Sequence, residues 1–90
     1  MKDFEHLGHQ LRDAAKDLVI EFMNSSKGCR PGENGMTQTD IFKKCGFDWG
    51  NYEKAPSTNQ QYWVIAALRE LAKEKKIEQV SKSGPWRLLR

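Results

Sequence analysis

The chain opens on a long rhythm of three and four residues. Phe4, Leu7, Leu11, Ala14, Leu18 and Phe22 fall on one stripe, so the spacing predicts a first helix over about residues 4–24 with that stripe turned to the core. Asp13, Asp17 and Glu21 stack at i, i+4 and i+8 on another side, an acidic row unsuited to lying beside phosphate. Ile20 lies outside the core stripe with Met23 near it, and the pair offers a small contact for a second subunit. Residues 24–35 are rich in Asn, Ser, Gly and Pro and carry no apolar period, which predicts a loop.

Thr37-Gln38-Thr39-Asp40 has the spacing of a capping box, with Thr37 as cap and Asp40 placed to answer it. A short second helix over about 38–45 follows, with Ile41, Cys45 and the trailing Phe47 inward, Lys43 and Lys44 outward, and Gly46 as its stop. Residues 48–56 form a longer link in which Trp49 and Tyr52 either fold back as a lid over the core or present a contact surface beside Lys54; the lid is favoured. Ser57 and Thr58 each offer a cap for a third helix, over about 58–75. There Val64, Ala67, Leu68 and Leu71 recur at i, i+3, i+4 and i+7, while Tyr62, Ala66, Arg69 and Lys73 gather on the opposite face. Residues 76–80 alternate polar with apolar, Ser81 to Gly84 supply a turn, and residues 85–89 return as a second strand.

Ninety residues hold one modest core, so residues 1–90 are expected to form a single domain. The balance of 38% hydrophobic and 30% charged residues places it among ordinary globular proteins. No apolar run is long enough to cross a bilayer and the first residues lack a signal-peptide layout, so no membrane association and a cytoplasmic setting are expected. Cys29 and Cys45 stand in no disulfide framework and are expected to be thiols. His6 and His9, with the two cysteines, match no familiar zinc spacing. There is no Gly-rich phosphate loop and no assembled nucleophile, base and orienting group. Neither a metal, a cofactor nor enzymatic activity is therefore expected.

Charge sharpens the picture. The net charge is +3, but residues 1–26 carry three basic and five acidic side chains, and the remainder twelve and seven. Such asymmetry suits a domain with one side toward a polyanion.

The run from Val64 to Ile77 resembles the third helix and first wing strand of the winged helix-turn-helix superfamily, whose pattern is roughly V-x-x-A-L-x-x-L-x-x-x-G-x-I. Lys75 stands where that pattern places Gly. The run from Met36 to Phe47 is similar to the superfamily's second helix. The resemblance implies an α+β, mainly α fold of three helices and a small C-terminal antiparallel hairpin wing, with Met36 able to pair with the wing as a minimal third strand. It further implies a double-stranded DNA-binding module of transcription or of mobile-element or phage control, acting as a dimer and associated with the nucleoid. In such a module the third helix enters the major groove through Gln61, Tyr62, Ile65, Ala66, Arg69 and Lys73, and Lys82 at the wing tip meets the backbone. The wing is also similar to that of the Z-DNA-binding winged-helix domains, which place a Pro before a wing Trp, here Pro85 and Trp86. Gln61, Ile65 and Arg69 depart from the Lys, Asn and Tyr those domains use, so Trp86 reads more simply as closing the core. A second functional class stays open: a protein-interaction module without DNA binding, docking through Trp49 and Tyr52 or the Ile20 side.

Overall fold

A computed structural model describes residues 3–47, 62–82 and 84–89. Within them lie three α-helices, α1 (Phe4–Ser25), α2 (Gln38–Lys44) and α3 (Tyr62–Lys73), and a 3-10 turn at Lys27–Cys29. Two short strands, β1 (Ile77–Gln79) and β2 (Trp86–Leu88), pair antiparallel. The architecture is α+β and mainly α. The link at 48–56 with Trp49, Tyr52 and Lys54, and the caps at Ser57 and Thr58, lie outside the described residues. No helix among the described residues is long and apolar enough to cross a membrane.

Helix α1 starts where the Asp3 carboxylate accepts the His6 N–H at 3.0 Å, satisfying one of the unpaired donors of the first turn. It then buries a different face from the one its strongest apolar spacing predicts. Ala15, Lys16, Val19 and Met23 turn inward, whereas Phe4, Leu7, Leu11 and Leu18 are exposed to 77%, 42%, 74% and 40% and Ala14 is exposed as well. The two faces stand roughly a third of a turn apart. The inward face tolerates Lys16 because the carboxylates of Glu70 in α3 and of Glu74 just past its end receive its ammonium. Met23 is fully buried, and Ile20 and Phe22 pack partly against the core, so the Ile20–Met23 side is in part occupied by the chain itself.

Helix α2 is capped as its sequence predicts: Thr37 Oγ1 accepts from the Asp40 N–H at 3.3 Å. Ile41 and Phe42 are buried, Cys45 and Phe47 pack partly against them, and Lys43 and Lys44 face out. The helix ends at Gly46 with φ +74. There the Gly46 and Phe47 N–H groups reach back to the carbonyls of Lys43 and Phe42, each at 3.0 Å, the double bond of a Schellman ending.

In α3, Ala67, Leu68 and Leu71 are buried, as the spacing predicts. Lys75 takes the left-handed conformation itself, with φ 63, at a cost of about 1–2 kcal/mol that Gly would not incur. Its N–H reaches Ala72 and the Lys76 N–H reaches Leu71, both at 3.0 Å, so the ending forms despite the side chain. Ile77 then enters the core. In the hairpin Ile77 faces Leu88, Glu78 faces Arg87 and Gln79 faces Trp86, and Arg87 Nε donates to Glu78 Oε2 at 2.7 Å. Met36 is bridged to Trp86: each N–H donates to the other's carbonyl at 2.8 Å. The minimal third strand expected at Met36 is thus one residue long. Trp86 closes the core from this side with its ring buried, and among the described residues no acceptor meets its indole N–H.

Candidate nucleic-acid interface

Two surfaces meet at Arg69. One is the open face of α3, lined by Ile65, Ala66, Arg69, Glu70, Ala72 and Lys73. The other is a cleft of about 520 Å³ between the start of α2, α3 and the hairpin, lined by Thr37, Gln38, Arg69, Gln79, Lys82 and Trp86 among others. Arg69 borders both. Among the described residues lining the cleft none is acidic.

Of the expected contact residues, Ala66, Arg69, Lys73 and Lys82 are exposed and Ile65 is half-buried. Arg69, Lys73 and Ala66 share one face of α3, and Lys82 stands on the hairpin turn across the cleft. Gln61 and the side chain of Tyr62 lie outside the described residues. Among the described residues, Arg69, Lys73 and Lys82 enter no ion pair.

The cleft adds three polar residues that spacing along the chain does not assign to it: Thr37, Gln38 and Gln79. In the sequence Thr37 reads only as a helix cap, and Gln79 only as a polar strand position. The hairpin turn is held by local contacts, and its base by one distant in sequence. Gln79 Nε2 donates to the Gly84 carbonyl at 2.9 Å, and Gly84 N–H to the Ser81 carbonyl at 2.8 Å. Arg87 Nη1 donates to the Glu33 carbonyl at 2.9 Å, fastening the base of the hairpin to the loop before α2.

Glu70 and Glu74 are turned toward α1. Lys16 Nζ donates to Glu70 Oε1 at 2.9 Å and to Glu74 Oε2 at 2.6 Å. Hydrogen bonding to Glu74 and then Glu70 raises the Lys16 ammonium to about 12, against a smaller opposing effect of burial. Hydrogen bonding from Lys16 lowers the Glu74 carboxyl below its usual range. Lys16 is raised above its unfolded value, so its stabilisation is complete below about 10.5 and is lost as pH rises through about 12. Glu74 is depressed, so its share is present above 4.5 and is lost as pH falls through its folded pKa. The expected profile is a plateau bounded by those two losses. Burial also makes the partners unequal, since Lys16 keeps 9% of its side chain exposed and Glu70 and Glu74 keep 43% and 36%. Glu70→Gln with Glu74→Gln strands a buried ammonium and is expected to lower the urea midpoint more than Lys16→Met, which leaves two carboxylates that water can reach. Equal losses, or a larger one for Lys16→Met, would contradict this.

Cys29 and Cys45 are free thiols, and burial pushes both thiol pKa values up, which makes them poor nucleophiles. Among the described residues no group of three or more His, Cys, Asp or Glu side chains converges as metal ligands would. Compared with family models, with curated proteins and with solved structures, the chain matches none.

Proposed function

We propose that the protein is a small winged-helix module that binds double-stranded DNA, a regulator of transcription or of a mobile or phage element, acting by binding and not by catalysis. The observation that carries this reading is the sorting of charge on α3. Arg69 and Lys73 stand open on one face and Lys82 lies across a cleft whose described lining holds no acid, while Glu70, which borders that face, and Glu74 are paired with Lys16. A helix with a small residue amid cations fits the major groove, and Ala66 lets the helix axis come close to the base edges. Arg69 is the candidate for a guanine or phosphate contact. Lys73 and Lys82 neutralise phosphates, which fixes orientation without reading sequence. The Met36 bridge to Trp86 ties the hairpin to the segment that leads into α2, on the rim of the same cleft.

The test is a titration of the isotope-labelled protein with duplex DNA at low and at physiological salt. Amides of residues 61–73 and 82–84 are expected to shift together at low salt and to recover as salt rises, since bound phosphates release counterions. Arg69→Ala is expected to weaken binding by about 1–3 kcal/mol. Lys82→Ala is expected to weaken binding to all sequences alike and to reduce the slope of log affinity against log salt by about one. Amides that stay still in excess duplex would sink the DNA reading and leave a protein-interaction module in its place.

A further inference from the structure

The first helix carries an apolar strip that stands exposed among the described residues. Phe4, Leu7, Leu11, Ala14 and Leu18 succeed one another at alternating intervals of three and four. Every residue from Asp3 to Ala14 is exposed, and burial begins at Ala15. A strict three-four alternation, averaging 3.5, is the spacing of a narrow seam between two helices, whereas a helix laid on a globular core shows a wider apolar face. A second oddity lies beside the seam. Gly8 sits inside the helix, where Gly is less stable than Ala, without a positive φ to require it. Nothing in the described fold lies within 4 Å of where its Cβ would stand, and with Leu11 and Ala15 it lines a cavity that Phe47, Ala66 and Ala67 also border.

We propose that this half of α1 pairs antiparallel with the same half of a second copy of the chain. One register pairs the strip from Phe4 to Ala14. With Leu7 opposite Leu11 of the second copy, and Leu11 opposite its Leu7, Phe4 falls opposite Ala14 at both ends. The largest side chain of the strip then meets the smallest, as interlocking layers require. Gly8 flanks the crossing and lets the two backbones approach. The pattern is self-complementary about a twofold axis, the isologous geometry of a closed dimer. In this register the acidic Asp17 and Glu21 of the two copies are kept apart. Parallel pairing would instead set Phe4 on Phe4, leave a gap at Ala14 and bring both acidic rows side by side.

The strip is about 16 Å long over its eleven paired residues. Two copies cover on the order of 1,000 Å² together, the lower end of specific interfaces. The association is therefore concentration-dependent, and it stands apart from whether the protein binds DNA. Sedimentation equilibrium of the full chain is expected to give a mass rising from one 10.4 kDa chain toward twice that value as concentration increases. Leu7→Glu or Leu11→Lys alone is expected to weaken dimerisation at least tenfold (about 1.4 kcal/mol) with an unchanged circular dichroism spectrum, because both side chains are exposed in the single chain. The double variant L7E/L11K is expected to restore the dimer, since the antiparallel register sets each Glu against a Lys of the second copy. A chain that stays monomeric at every soluble concentration overturns the proposal. So does a dimer that survives either single substitution, which would place the contact on another surface. A double variant that stays monomeric overturns the antiparallel register. A monomer whose Leu7 and Leu11 methyls are shielded from a soluble paramagnetic probe would mean that other residues of the same chain cover the strip.

Discussion

Phe42→Ala is expected to cost about 3–5 kcal/mol, the usual loss when a buried aromatic side chain is truncated and the cavity does not collapse. Phe42 is 1% exposed and is the largest fully buried side chain among the described residues. It belongs to the cluster that joins α1 through Val19 and Met23, α3 through Leu68 and Leu71, and the hairpin through Ile77, Trp86 and Leu88. A cavity there loosens three elements at once. A domain of this size has a total stability of roughly 5–13 kcal/mol, so the variant is expected to melt some 15–30 °C lower and to be partly unfolded at body temperature. Thermal melting followed by circular dichroism reads this directly, with Leu11→Ala as the contrast. Leu11 is 74% exposed, and its truncation is expected to leave the melting of the single chain within about 0.5 kcal/mol of the parent. Similar losses for the two variants would show that this cluster is not the core.

The second large effect belongs to a glycine. Gly35 has φ +82, and a Cβ built on it would stand 2.8 Å from the Trp86 carbonyl oxygen and 3.0 Å from a methyl of Val80. The oxygen is backbone and cannot swing aside as a side-chain end could. It is also the acceptor of the Met36 N–H at 2.8 Å, so the group that would be pushed is the one that docks the hairpin. Gly35→Ala is expected to cost about 2–3 kcal/mol, part from the left-handed backbone and part from the displaced bridge. Gly32 separates the two contributions. It has nearly the same φ, +84, with nothing within 4 Å of its Cβ position, so Gly32→Ala carries the conformational part alone, about 1 kcal/mol. If the DNA reading is right, Gly35→Ala also weakens duplex binding without altering any contact residue, because the hairpin that carries Lys82 loses its tie to the segment that leads into α2. Equal destabilisation at Gly32 and Gly35 would remove the clash from the account.

Features governed by near neighbours along the chain are legible in the sequence alone. The Thr37 cap, the stop at Gly46, the Ala67–Leu68–Leu71 face of α3 and the hairpin all follow from spacing and turn chemistry over a few residues. The inward face of α1 is not legible in that way. Its apolar spacing is strongest along Phe4, Leu7, Leu11 and Leu18, and a periodicity argument rightly finds that stripe but cannot say what covers it. The face that turns inward contains Lys16, which becomes a good interior residue only beside Glu70 and Glu74, partners 54 and 58 positions away. The same distance in sequence hides the cleft. Arg69, Lys73 and Lys82 follow from helix face and turn position, but the polar rim at Thr37, Gln38 and Gln79 exists only because the hairpin folds back against the start of α2.

The bridge from Met36 to Trp86 also bears on how the chain reaches this state. It closes a loop of about fifty residues, and long loops are entropically slow to close compared with the turns of α3 or the hairpin. The same late residue carries the Trp that completes the cluster around Phe42. Helix α1, the 3-10 turn and α2 therefore have no finished surface to settle on until Trp86 has been synthesised. During translation, at about 5–20 residues per second, the earlier part of the chain waits several seconds with Val19, Met23 and Ile41 uncovered. That interval, and not the finished fold, is when this protein is most open to aggregation and to proteases.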